Sequence, residues 1–169
     1  MFIELGVIQS LNIYLGNPVY TLALVLAGLL LFTGFGSYAA GTRKAPSARL
    51  IKEGMVGSFF IILLWTMVMP WVVSSTMGAP IWERSMVTLL SLFPLGFLMG
   101  IPFATGIRHL SDGQQRFIPW AWGINGMTSV AASILAIILA MRIGFKAVLV
   151  LGALSYIVGY LASKRFIKT

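Results

Sequence analysis

Five apolar runs with almost no charge are the strongest constraint on this chain. They cover about residues 19–40, 55–73, 86–105, 119–141 and 145–162, and apart from Lys146 none contains Asp, Glu, Lys or Arg. A helix needs roughly 20 apolar residues to cross a hydrocarbon core about 30 Å thick, with a range of about 17–25. All five runs fall in that range, so each can span a bilayer. Soluble domains carry about a quarter charged residues, whereas this chain has 9% charged against 59% hydrophobic residues. The expected fold is an all-α integral membrane protein, a single membrane domain over residues 1–169.

Residues 2–15 are also apolar, but as a helix they cover only about 21 Å, and they include Glu4, Gln9 and Asn12. Three readings stay open for them: a half-helix, a helix lying in the interface, or the end of a longer span. The start Met1-Phe2-Ile3-Glu4 has neither the basic beginning nor the cleavage site of a secretory signal, so it is expected to belong to the mature chain. The joins, about 42–54, 74–83, 106–118 and 142–144, are too short to hold a soluble domain.

The net charge of +8 would ordinarily raise nucleic acid as a partner. Its distribution argues otherwise. With the 42–54 join in the cytoplasm, that side holds Arg43, Lys44, Arg49, Lys52, Arg108, Arg116, Lys164, Arg165 and Lys168, and the other holds Arg84, Arg142 and Lys146. This bias places the C-terminus in the cytoplasm, as expected for a bacterial-type inner membrane. The cations then mark topology rather than one phosphate-binding face, so no nucleic-acid partner is expected. Arg43, Lys44, Arg49 and Lys52 form a cluster able to attract anionic lipid headgroups. Trp71, Trp82, Trp120 and Trp122 lie near span ends, where indoles suit the headgroup region; Trp65, mid-span, packs against a neighbour or lipid.

Catalytic chemistry has little to build on. There is no Cys, one His (His109) and four acids, which excludes thiolate chemistry, multi-histidine metal sites and a Ser-His-Asp set. No enzyme activity, metal or cofactor is expected. What remains is polar and small residues in apolar surroundings. Asn125 lies inside a span, where its amide either bonds to another helix or contacts a solute. Glu4 is the one carboxylate able to lie at membrane depth, either as a functional group or paired with the α-amino group at the interface. Gln9 joins them as a polar candidate. Small residues recur on helix faces, among them Gly34, Gly36, Ser37, Gly96, Gly100 and Gly159, where backbones can approach closely. Pro70, Pro94 and Pro102 interrupt backbone hydrogen bonding in the second and third spans and can kink or break them.

Four stretches carry a resemblance: Phe2 to Gln9, Tyr14 to Tyr20, Gly34 to Ser37, and Ile118-Pro-Trp-Ala-Trp-Gly-Ile-Asn-Gly126. Together they resemble the membrane portion of the fused spermidine synthase-like proteins, whose spans are similar to those of major facilitator transporters. The resemblance implies the C-terminal six-helix half of a facilitator-like bundle, with residues 2–15 as the outer end of its first helix. It also implies a cytoplasmic 42–54 join and C-terminus. Residues 36–44 faintly resemble the glycine and basic signature of facilitators, without its acidic member. Nothing in the chain resembles the soluble aminopropyltransferase-like domain, so synthase activity does not carry over. The expected function is a non-catalytic membrane subunit that packs against other integral membrane proteins or itself. The alternative is a half-size transporter of a small solute such as a polyamine, working as a dimer.

Overall fold

The computed structural model describes residues 1–43 and 45–167, with side chains to Lys164. Lys44, the Arg165 side chain and Lys168, counted above among the basic residues, lie outside the described residues. The chain forms six helices, α1 (Phe2–Leu15), α2 (Pro18–Thr42), α3 (Ser47–Thr76), α4 (Ile81–Ser111), α5 (Ile118–Ile143) and α6 (Phe145–Ile167), with one 3-10 turn at Gln115–Phe117. No strand occurs among the described residues. Five of the helices are long and apolar enough to cross a membrane, and this is a multi-pass bundle of membrane helices.

The spanning helices outrun the apolar runs that announce them. α3 begins at Ser47 and α4 ends at Ser111, so much of the expected joins is helical and Arg49 and Lys52 stand on the first turns of α3. Polar residues at a span end sit in the headgroup layer and need no hydrocarbon around them, which is why helix and apolar run part there. The remaining connections are short, so consecutive spanning helices alternate in direction. Residues 45–46 and 112–117 then share one end of the bundle with Arg43, Arg49, Lys52, Arg108, Arg116 and Lys164. Residues 16–17, 77–80 and 144 share the opposite end with Arg84, Arg142 and Lys146.

Local chemistry sets the turns. Gly16 closes α1 at φ 75° and Gly144 separates α5 from α6 at φ 83°, a left-handed region in which glycine is unstrained. Asn17 caps α2 by accepting from the Val19 and Tyr20 amides at 2.9 and 3.1 Å, with Pro18 at the first helical position, where no donor is needed. Pro70, Pro94 and Pro102 lie within α3 and α4. Both helices run through them unbroken.

α1 is neither interfacial nor peripheral. Val7, Leu11 and Tyr14 are fully enclosed and Ile3, Ile8 and Leu15 nearly so, in one core with Val25, Ile62, Leu92, Leu95, Leu149 and others. It is a half-helix wedged into the bundle against α2, α5 and α6. Its outer end is pinned: the Tyr14 hydroxyl lies 2.7 Å from that of Thr76 on α3, and Arg84 of α4 donates to the Tyr14 carbonyl at 2.7 Å. α5 is the least covered span. Only 11% of its apolar window is buried, against 22–33% for the other four, and Trp120, Trp122, Ile124, Met127 and Met141 project from it.

Candidate functional site

Of the polar candidates, Glu4 lies at the inner end of α1. Phe2 and Ile3 lie against Gly152, eight residues past the Gly144 turn, which at 1.5 Å per residue is about 12 Å below that end of the bundle. α1 therefore begins near mid-membrane. Beside its first residues is a cleft of about 380 Å³ between α4, α5 and α6, with Met99, Thr128, Ser129, Ser155 and Tyr156 on its walls. Glu4 stands on the first turn of α1, with its carboxylate 3.5 Å from the α-amino nitrogen and its side chain 27% exposed. It is thus held at depth rather than at the interface. The Thr128 and Ser155 hydroxyls donate to the carbonyls of their own helices, Ile124 and Gly152, at 2.8 and 2.6 Å. Facing the cleft they remain acceptors, a lining suited to donors and cations more than to anions.

The other polar candidates divide. Asn125 is one turn from Thr128 and Ser129 on α5, but it is exposed, and its amide makes no side-chain hydrogen bond among the described residues. Among the described residues the expected interhelical bond is therefore not made, because Asn125 lies on an exposed face of α5. Gln9 is exposed and accepts from Asn12 Nδ2 at 3.0 Å, away from the cleft.

The small residues sort by face. Gly36 and Gly100 are the closest approach between α2 and α4. A Cβ on Gly36 would fall on the Phe97 carbonyl and one on Gly100 on the Thr33 carbonyl, while Gly96 leaves only 2.8 Å to Phe32 Cβ. Ser37 adds a hydrogen bond to the Gly100 carbonyl at 2.9 Å. A Cβ on Gly159 would meet Met55 Cε at 3.5 Å, an ordinary van der Waals contact. Gly34 corrects the expectation: nothing lies within 4 Å of its would-be Cβ, since it is two residues, about 200° of helical rotation, from the Gly36 contact.

The basic cluster also changes character. Arg49 Nε meets Glu53 at 2.7 Å and Arg43 lies 3.7 Å from the same carboxylate, so part of the charge assigned to lipid headgroups is answered within the protein. Glu53 supplies an acid close to the basic stretch, which the 36–44 segment lacks.

Two arginines have capping roles that the sequence does not announce. Arg108 donates to the carbonyls of Ala40 and Gly41 at 3.0 and 3.3 Å, capping the C-terminal end of α2, as Arg84 caps that of α1. Cations suit helix C-termini, where carbonyls lack partners. A basic residue at a span end is the only signal the sequence offers, and it does not name the helix being capped. Trp65 is settled as a packing residue, 7% exposed, with Nε1 3.3 Å from Ser91 Oγ.

Among the described residues no three His, Asp or Glu side chains come together. No known protein family, curated protein or solved structure matches this chain.

Proposed function

We propose that this protein is a non-catalytic integral membrane subunit that packs against other membrane proteins, or a second copy of itself, and anchors or stabilises the assembly. The observation that carries this reading is Asn125, an amide within an apolar span and without a side-chain partner among the described residues. An unpaired amide is costly in lipid, and a partner helix offering a donor or acceptor removes that cost, worth on the order of 1 kcal/mol per bond. The thin coverage of α5 supports the same reading. Orientation follows the basic residues, with the C-terminus in the cytoplasm and a bacterial-type plasma membrane as the setting. Extraction in a mild detergent followed by intact-complex mass measurement tests it: a fixed set of co-migrating chains, or a defined oligomer, is expected. A stable monomer without partners overturns it.

The cleft favours a second reading, a half-size facilitator-like transporter working as a dimer. Glu4 at depth and a wall of acceptor hydroxyls fit a cationic solute, and the resemblance to the membrane portion of spermidine synthase-like proteins supplies polyamine as the class. Uptake of spermidine into proteoliposomes should then fall in Glu4→Gln and Asn125→Ala, and normal uptake in both variants removes the transporter reading.

A further inference from the structure

A second cavity lies away from the cleft, between α1, α3 and α6. It measures about 310 Å³, with walls formed by Trp65, Met69, Val73 and Leu149 and with Ser10 and Lys146 at polar positions. Val73 is in the last turn of α3 and Lys146 in the first turn of α6, so the groove opens at one membrane face, the end opposite the basic loops. From there it runs along α3 to Trp65, eight residues or about 12 Å into the hydrocarbon.

Three polar features line it. Lys146 is exposed and belongs to no ion pair among the described residues. The acid at that end, Glu83, is on α4, which does not line the groove. Pro70 has no N–H, so the Thr66 carbonyl four residues earlier lacks its intrahelical donor, and both residues line the groove. The Ser10 hydroxyl donates to the Gly6 carbonyl at 2.7 Å.

We infer that this groove is a binding site for one anionic phospholipid, with an acyl chain along Trp65, Met69, Val73 and Leu149 and the phosphate on the Lys146 ammonium. Charge selects the occupant: an uncompensated cation stands at the mouth of an apolar channel that continues into hydrocarbon. A soluble anion would satisfy Lys146 but leave the channel walls unfilled, whereas a zwitterionic lipid brings its own cation to the lysine.

Native mass spectrometry of the full chain in detergent, with phosphatidylglycerol or phosphatidylcholine of identical acyl chains added, reads this directly. Phosphatidylglycerol should be retained several-fold more. Lys146→Gln should weaken its retention about fivefold, the ratio equivalent to ~1 kcal/mol per cation near an anionic headgroup. Arg142→Gln should leave it unchanged, and Val73→Trp, which fills the channel, should lower retention of both lipids, with helicity by circular dichroism as the check on folding. The site is overturned by equal retention of the two lipids in the wild type, by equal losses in Lys146→Gln and Arg142→Gln, or by unaltered binding in a folded Val73→Trp protein.

Discussion

Gly34→Ala and Gly36→Ala add the same methyl two residues apart on α2, and the structure assigns them opposite signs. At Gly36 the new Cβ falls on the Phe97 carbonyl, a backbone atom that no rotamer change can move aside, so α2 and α4 must separate. Overpacking of this kind costs about 1–3 kcal/mol. A gap of about 0.5–1 Å elsewhere along the seam also forfeits a quarter to a half of each dispersion contact. The 2.9 Å hydrogen bond from Ser37 to the Gly100 carbonyl is on the same seam, and its loss adds up to about 1 kcal/mol. Both variants gain up to about 1 kcal/mol of helix propensity, which cancels in their difference. Gly36→Ala should therefore be about 2–4 kcal/mol less stable than Gly34→Ala, where the methyl meets open space. The assay is unfolding of the two purified proteins in mixed micelles by increasing SDS fraction, followed by tryptophan fluorescence. Equal midpoints would refute the close approach of α2 and α4.

Other expectations follow from the same geometry. Arg108→Gln should expose the Ala40 and Gly41 carbonyls and fray the end of α2, seen as faster hydrogen exchange at residues 38–43 with little change in α6. Glu53→Gln should cost less than about 0.5 kcal/mol, because Arg43, Arg49 and Glu53 are 55%, 73% and 41% exposed and exposed pairs are screened; a loss above 1 kcal/mol in the same micelle titration would contradict this. Brominated lipids should quench single-tryptophan proteins bearing only Trp71 or Trp120, which are 72% and 70% exposed, and unquenched emission from either would contradict its exposure to lipid. Because the chain has no cysteine, Ala45→Cys and Met77→Cys can each be labelled without background, and an impermeant reagent should reach them from opposite sides of the membrane.

The elements of the fold were legible because the bilayer reads composition directly: absence of charge located every span, and the short apolar stretch 2–15 is the helix α1. What the sequence left dark was facing. Gly34 and Gly36 look alike as letters, and only the angle between them decides that one is a contact and the other open. The same holds for Asn125, whose chemistry was plain but whose direction depends on which helix lies beside α5. Arg84 and Arg108 were hidden for another reason: their acceptors are up to 70 residues away in sequence, so capping that looks local in space has no local signature.

Those two arginines have a mechanical consequence. They are 24 residues apart on one continuous helix, about 36 Å at 1.5 Å per residue, and each grips the end of a different neighbour at opposite membrane faces. α4 acts as a strut of fixed length riveted at both ends. α1 and α2 cannot slide along it without drawing a guanidinium out of its carbonyls, so relative motion in this part of the bundle is limited to tilting. A bilayer thinner or thicker than the strut must itself deform around the protein.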